Sequence, residues 1–579
     1  MVQVRTDFCL EKTLKKITVI GAGTSGLISS LMLNTLSDIE VEIIHNPKKG
    51  IIGVGEGTTE HIDLFFTLAE IDPVEFFVET EGSIKAGVFF RDWNFEGDEY
   101  IHSLSRHHQS DYNSHSLNLP QLYFPFSKIN KKSLTNIHGF INDDSYVNLS
   151  RYNGIISLTD FFQQHFDSLK VYEYLIKLCA KRNIKIIEDN IIDFTKNNND
   201  EIITLKGEKT DYQVDFIVDC SGLDKTILKR AYPNDIKFID LTDYLPCNSA
   251  MVTMTHGEHK EAYTIAKGMK SGWLWKAPTR VRHGNGYVFN SNISSKQEIL
   301  EEFNQTLNTE LEDARIINWD IGHLNKCFHK NVMSIGMACA FFEPIEASAI
   351  GMTITMCQSL RSLIKNYFRG FNISHDINDQ YINVMNNVYL FLKFHYNTKR
   401  NDTEFWRYTQ NLKQLDWEET LYEKWKYRYP HQDDGMVFNR FGYNLYNEYS
   451  FILLGTFNNF FSDDIFNNLK EDQQLTIKDF EVPLLEGINQ IKIKNLDQYY
   501  EYLEDYLKYK DDRQEIKIPM SPHSDLKVEV IFGDKEKYLY HVPGTSKMNW
   551  NENTNFMGNY TNGHKNNPIV LKYYSIKKS

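Results

Sequence analysis

The chain has 579 residues, 41% of them hydrophobic and 24% charged, a composition typical of a folded protein and not of a disordered one. Its net charge of −14 and the lack of a long basic run argue against nucleic-acid binding. The sequence contains no run of about 18 apolar residues and therefore predicts no membrane span. The seven cysteines are scattered and never spaced as CxxC, which predicts no metal site or disulfide scaffold and favours a reducing cytoplasm.

The first predicted element is a βαβ unit with a glycine-rich turn. An apolar run, 16–20, leads into Gly21-Ala22-Gly23-Thr24-Ser25-Gly26, and a helical stretch and a second strand, 41–44, follow. The first glycine permits the tight turn, the second lets the backbone approach a pyrophosphate, and the third allows close helix–strand packing. This context predicts a dinucleotide site, although His45 stands where an acidic residue that binds a ribose is expected.

Two segments after this unit contain candidate functional residues. Residues 51–59 form a glycine-rich loop, which is either a surface turn or a backbone segment that lies across a cofactor. Residues 82–93 predict a strand in which Lys85 has small and apolar neighbours. Taken alone, a lysine in a strand is usually a solvated edge residue.

Residues 215–222 and 331–336 repeat the pattern of a buried strand that enters a glycine turn. Together with the first unit they predict an α/β fold, with a Rossmann-like FAD-binding domain of the flavin monooxygenase type and an inserted substrate β-sheet region. In that insertion, Trp273 and Trp275 share one strand face, an arrangement that core packing alone also explains. Glu346 lies in an apolar setting before a helix, where it is either a helix-capping acid or a functional carboxylate.

The predicted domain organisation has three parts. Residues 1–375 form the FAD- and substrate-binding core, in which 16–100, 170–235 and 325–375 make up the flavin part. Residues 376–508 are expected to be mostly helical. Residues 509–579 are a polar extension in which 528–532 and 569–574 are candidate strands.

Together these segments resemble the flavin-dependent tryptophan-halogenase family, in the family's order from about residue 16 to 455. The resemblance is carried by residues 21–26, 53–58, 82–93, 245–248, 273–278, 284–288, 344–350, 395–396 and 400–407. Three places depart from the usual residues: Ala277 replaces isoleucine, Gly57 replaces alanine, and 347–349 reads Ala-Ser-Ala instead of Ser-Thr-Gly. The Asn- and Lys-rich composition is typical of an AT-rich genome such as that of a phage.

The resemblance implies FAD, delivered as FADH2 by a separate flavin reductase, and a halide ion (chloride, bromide or iodide). The implied FAD-binding residues are Gly21, Ala22, Gly23, Thr24, Ser25, Gly26, Ile52, Val54, Glu56, Ile191 and Ile350. The halide is expected at the backbone amides of Ser348 and Ala349, at the start of a helix. Hypohalous acid made beside the flavin is expected to pass Trp273 and Trp275.

By the same resemblance, Lys85 holds the hypohalous acid by a hydrogen bond or as a haloamine. Glu346 helps to orient it and takes the ring proton of an aromatic small molecule of the indole, phenol or pyrrole type. The sequence leaves open the substrate, the preferred halide, whether the substrate is tethered to a carrier, and whether the chain forms a homo-oligomer.

Two other functions fit part of the pattern. A single-component FAD-dependent aromatic hydroxylase would reduce its own flavin with NAD(P)H, but such enzymes usually carry Gly-Asp where this chain has Gly336-Met337. A non-catalytic flavin-binding scaffold would use the C-terminal extension as an interaction module.

Overall fold

The computed structural model describes most of residues 15–467 and several short segments after them. The described residues are 15–50, 53, 56–85, 87–103, 147–149, 163–225, 227–256, 261, 263–311, 314–431, 433–438, 444–467, 491–493, 504, 526–532 and 536–542. No helix within these ranges is long and apolar enough to cross a bilayer.

A six-stranded sheet carries the glycine-rich turn. With strands numbered in chain order, its spatial order is β21 (Phe328–His329), β22 (Val332–Ser334), β13 (Phe216–Asp219), β1 (Lys15–Ile20), β2 (Ile39–His45) and β9 (Lys185–Glu188). All neighbours are parallel except β21 and β22. The last four residues of β1 are buried, as expected where helices cover both faces of a parallel sheet. The predicted Rossmann-like domain is therefore confirmed.

A seven-stranded sheet forms the second large layer. Its order is β19 (Arg315–Asn318), β15 (Ser249–Thr255), β18 (His283–Phe289), β17 (Gly272–Pro278), β16 (Thr264–Gly268), β5 (Gly87–Arg91) and β6 (Glu99–Ser103). The pair β16–β5 is parallel and the other neighbours are antiparallel. This sheet is the predicted insertion, and it also includes β5 and β6 from residues 87–103.

Five smaller sheets complete the described strands. The three-stranded ones are β3 (Glu56–Gly57) with β8 (Gln163–Phe166) and β4 (Ser83–Lys85); β10 (Ile191–Lys196) with β11 (Ile202–Gly207) and β12 (Asp211–Gln213); and β14 (Phe238–Asp240) with β20 (Gly322–Leu324) and β23 (Ala340–Phe341). The two-stranded ones are β7 (Val147–Leu149) with β24 (Ile491–Ile493), and β25 (Leu526–Phe532) with β26 (Glu536–Val542). Strand β25 contains the candidate strand 528–532, whereas 569–574 lies outside the described residues.

Helices cover the sheets and predominate in the described residues after 373. They are α1 (Thr24–Asn34), α2 (Ile62–Leu68), α3 (Pro73–Glu79), α4 (Ser168–Lys181), α5 (Leu228–Ala231), α6 (Lys296–Leu307), α7 (Ser348–Phe368), α8 (Ser374–Phe394), α9 (Glu404–Thr409), α10 (Asp416–Trp425), α11 (Glu448–Phe457) and α12 (Asp464–Asn467). Short 3₁₀ turns occur at Gly222–Asp224, Gly336–Ala338 and Ile345–Ala347. The three-part division of the chain stays a prediction.

The turn between β1 and α1 depends on two of its glycines. Gly21 has φ 107°, in the left-handed region that favours glycine. A Cβ on Gly26 would lie 1.9 Å from the carbonyl oxygen of Gly21, so only a hydrogen lets the helix approach the strand this closely. These contacts are the tight turn and the close packing that the sequence predicts.

We expect Gly26→Ala to lower the free energy of unfolding by roughly 1–3 kcal/mol, because overpacking outweighs the gain in helix propensity. Gly23→Ala is the matched control, since no atom lies within 4 Å of its Cβ position. Urea unfolding of both variants without cofactor checks this, and equal stability of the two would contradict the packing argument.

Candidate active site

A cavity of about 950 Å³ reaches from the glycine-rich turn to Lys85 and Glu346. The predicted site residues that line it are Gly21, Ala22, Gly23, Thr24, Ser25, Lys85, Ile191, Trp273, Trp275, Glu346, Ser348, Ala349 and Ile350. Gly26 does not line the cavity but packs against Gly21. Ile52 and Val54 lie outside the described residues, and only the backbone of Glu56 is described. The structure thus brings the two predicted ends of the site into one space.

The end of the cavity at the glycine-rich turn fits the pyrophosphate of FAD. Helix α1 begins at Thr24, and the N–H groups of its first turn have no acceptor within the helix. The space that a Cβ on Gly23 would occupy is open, so a phosphate can approach the backbone there. Together with the positive end of the helix dipole, these features suit a bound diphosphate.

Lys85 is the last residue of β4, where its side chain is only 1% exposed. Its Nζ donates a hydrogen bond of 2.9 Å to the backbone oxygen of Thr58. Burial lowers the pKa of Lys85 to about 8, although the charge of Glu346 partly opposes this shift. A Cβ at Gly57 would lie 3.2 Å from Nζ, so glycine at this position gives the ammonium group more room than alanine would. Lys85 is therefore a buried, confined amine and not a solvated edge residue.

Glu346 lies before α7 and is held by two histidines. Its Oε1 is 2.8 Å from Nδ1 of His102 and 3.1 Å from Nε2 of His395. Nδ1 of His395 donates to the backbone oxygen of Phe391 at 2.8 Å, which fixes the ring. Burial raises the pKa of Glu346, but the two histidines outweigh it and lower the pKa to about 2. Oε2 is buried and has no hydrogen-bond partner among the residues that the structure describes.

The backbone around Glu346 forms a candidate anion site. Glu346 and Ala347 both have left-handed conformations, with φ of 63° and 54°, and Ser348 returns to the right-handed region. Such an alternation turns successive N–H groups towards one point, a geometry that binds anions. Ser348 and Ala349 also start α7 and line the cavity, so their N–H groups suit a halide.

Trp273 and Trp275 form part of the cavity wall. They alternate along β17, and their ring centroids are 6.1 Å apart. The ring of Trp275 lies over Gly286 on the neighbouring strand, where a Cβ would be 1.9 Å from it. Both tryptophans are nearly fully buried, so they are core residues as well as lining residues.

Known proteins share both the sequence pattern and the fold. The family model of tryptophan halogenases matches residues 16–459. Tryptophan 6-halogenase ThaL from Streptomyces albogriseolus is 24% identical over 431 residues, which are 70% of this chain and 81% of that protein. Tryptophan 7-halogenase RebH from Lentzea aerocolonigenes is 25% identical over 429 residues, 69% of this chain and 80% of that protein. A crystal structure of a tryptophan halogenase from Shewanella frigidimarina NCIMB 400 superposes with a TM-score of 0.75 at 20% identity, covering 85% of this chain and 99% of that one.

The chain belongs to the tryptophan halogenase family. It is accordingly an oxidoreductase that uses FADH2 and a halide to halogenate an aromatic substrate. The predicted family, enzyme class and cofactors are confirmed, and the hydroxylase and the non-catalytic scaffold are set aside.

In this halogenase the structure adds a buried carboxyl group that the sequence did not single out. Glu343 lines the cavity three residues before Glu346 and is 1% exposed. Its Oε2 accepts hydrogen bonds from Tyr396 Oη at 2.7 Å and from Trp273 Nε1 at 3.3 Å. Burial raises the pKa of Glu343 to about 8, and these neutral donors oppose the shift only in part. Glu343 is therefore protonated at neutral pH and anchors one ring of the tryptophan pair.

The sequence also does not identify His102 and His395 as partners of Glu346. Residues 395–396 belong to the segments that resemble the family, but no spacing connects either histidine with the carboxylate. Only the packing of β6 and the end of α8 around Glu346 brings them together.

We expect Glu343→Gln to remove part of the pH dependence of stability. Between the ordinary pKa of 4.5 and the folded value of about 8, the unfolded chain loses this proton while the folded chain keeps it, so stability falls as pH rises. The fall is at most about 1.4 kcal/mol per pH unit. Urea unfolding at several pH values across this window measures it. Parallel stability curves for the variant and the wild type would contradict a protonated Glu343.

Proposed function

We propose that this enzyme halogenates an aromatic small molecule of the indole, phenol or pyrrole type through Lys85 and Glu346. Supporting this proposal, Lys85 and Glu346 are both among the residues of the cavity that contains the glycine-rich turn, although they come from distant parts of the sequence. Bound FADH2 with oxygen supplies the oxidant that turns a halide into hypohalous acid. Side chains of this protein would then deliver the halogen to the substrate and remove the ring proton.

Lys85 would present the hypohalous acid to the substrate. Hypohalous acid is a weak electrophile, and a hydrogen bond to its oxygen makes the halogen more reactive. The buried ammonium group, already oriented by its bond to Thr58, can donate that bond. As the halogen bonds to the ring carbon, the O–X bond breaks and the oxygen leaves as water with the proton of Lys85.

Glu346 would stabilise and deprotonate the halogenated ring. The ring becomes a cation when it accepts the halogen, and an ionised carboxylate in a dry site stabilises that charge strongly. His102 and His395 lie at Oε1, and the buried Oε2, which has no partner among the described residues, would accept the ring proton. The protons then balance, because Lys85 gives one to the leaving oxygen and Glu346 receives one from the ring.

The halide would bind at the N–H groups of Ser348 and Ala349. This placement is supported by the backbone, which changes from left-handed to right-handed conformation at the start of α7, among the residues that line the cavity. Chloride, bromide and iodide all carry the single negative charge that such a site binds. Product analysis with each halide identifies the one that the enzyme uses. A separate flavin reductase would deliver the FADH2.

We expect Lys85→Met to reduce halogenation by at least about 100-fold, the lower range for a positioned acid catalyst. FADH2 oxidation is expected to continue near the wild-type rate, because the side chain is not needed for the flavin reaction. Lys267→Met is the control, since this lysine lies on β16 with its side chain 40% exposed, beside Asp92. Mass spectrometry of a mixed aromatic library with each halide measures the products. Wild-type product yields from Lys85→Met would exclude the role assigned to Lys85.

We also expect product formed per FADH2 oxidised to fall as pH rises through about 8, the pKa to which burial lowers Lys85. The reason is that the ammonium group, and not the neutral amine, donates the proton. Flavin oxidation measured in the same samples corrects for other effects of pH. A ratio that instead rises through this pH would indicate that the neutral amine acts, as a haloamine mechanism requires.

A further inference from the structure

The βαβ unit lacks the acid that usually binds the adenosine ribose of a dinucleotide. That acid is expected at the end of β2, where this chain has His45. Burial lowers the pKa of His45, with Glu188 partly opposing the shift, so the imidazole is neutral at physiological pH. A neutral ring cannot supply the two charged acceptor oxygens that a carboxylate offers to a ribose diol.

The neighbouring strand carries a carboxylate at the same level. Strand β9 runs parallel to β2, and Glu188 is paired in register with His45. Both residues therefore lie at the carboxyl end of the sheet, the edge at which open α/β sheets bind their ligands. The backbone N–H of Asp189 donates to the carbonyl oxygen of His45 at 3.0 Å, which holds the two strand ends together.

Glu188 is on the face of β9 that borders the cavity. Side chains two apart in a strand share a face, and Ile186 and Glu188 both line the cavity. Tyr172 and Ile176 on α4 line it as well and add an apolar surface suited to an adenine.

The other acidic residues that line the cavity are already engaged. The carboxylate of Asp189 accepts hydrogen bonds from three backbone N–H groups and from Tyr212. Asp224 pairs with Lys49, and Glu343 and Glu346 belong to the catalytic end. Glu188 is exposed, and its carboxylate takes no hydrogen bond or ion pair from the residues that the structure describes; only its backbone oxygen accepts, from Lys209.

We propose that Glu188 binds the ribose hydroxyls of the adenosine part of FAD and replaces the acid missing at position 45. The proposal rests on the use of FAD by the family and not on the chemistry of Lys85. It concerns binding alone, so it can fail or hold whatever the halogenation mechanism is.

The test compares two ligands, FAD and FAD with a 2′-deoxyribose in its adenosine part, by fluorescence titration of the full chain without halide. We expect Glu188→Gln to weaken FAD binding by about tenfold or more, the usual effect of losing a hydrogen bond to a charged group. Binding of the deoxy ligand is expected to change much less, since one of the two hydroxyls is already gone. Glu40→Gln is the matched control, because Glu40 is an exposed carboxylate near the opposite end of β2.

A second variant tests the position directly. In the Glu188→Gln background, His45→Glu returns a carboxylate to the end of β2 and is expected to restore FAD affinity and the preference over the deoxy ligand. Circular dichroism establishes that each variant is folded. Wild-type FAD affinity in Glu188→Gln, or an equal loss for both ligands, would overturn the assignment.

Discussion

A buried amine, Lys85, and a buried carboxylate, Glu346, at one cavity are the arrangement on which the rest of the site depends. Burying either charge alone is costly, and the cost falls only when hydrogen bonds and an opposite charge compensate it. Lys85 donates a hydrogen bond to the Thr58 carbonyl, and the Glu346 carboxylate contacts two imidazoles. The opposite charges of Lys85 and Glu346 also attract each other. For Lys85 the compensation is partial, since burial still lowers its pKa to about 8, whereas for Glu346 the histidines outweigh burial. In the proposed mechanism, this partly compensated pair polarises the hypohalous acid and accepts the ring proton.

The turn before α7 supplies several residues that line the cavity. Glu343 holds Trp273, Glu346 meets the histidines, and Ser348 begins the candidate halide site, all within six residues. The left-handed conformations of Glu346 and Ala347 carry a steric cost in side chains with a Cβ, and strain of this kind persists where surrounding packing fixes it. A short, strained segment thus places Glu343 beside Trp273, Glu346 beside two histidines, and the first residues of α7 next to them in the chain.

Much of this molecule was predictable because several motifs carry their own geometry. The glycine spacing and its strand–helix context predicted the dinucleotide turn, and alternation along β17 predicted that Trp273 and Trp275 share a face. Lys85 and Glu346 were predicted only by resemblance, since neither has a local signal that separates it from an edge lysine or a capping acid. His102, His395 and Glu188 were not predicted, because periodicity gives the facing of residues within an element and not across strands and helices that meet through tertiary packing.

Two carboxyl groups three residues apart have acquired opposite protonation states. Imidazoles lower the pKa of Glu346 to about 2, whereas Glu343 has only neutral donors, and burial raises its pKa to about 8. Environments that separate two pKa values in this way assign different roles to chemically identical groups. If both were ionised, a second negative charge would oppose halide entry and would compete for the ammonium group of Lys85. A protonated Glu343 holds Trp273 without adding that charge, and the carboxylate of Glu346 remains to balance the amine of Lys85.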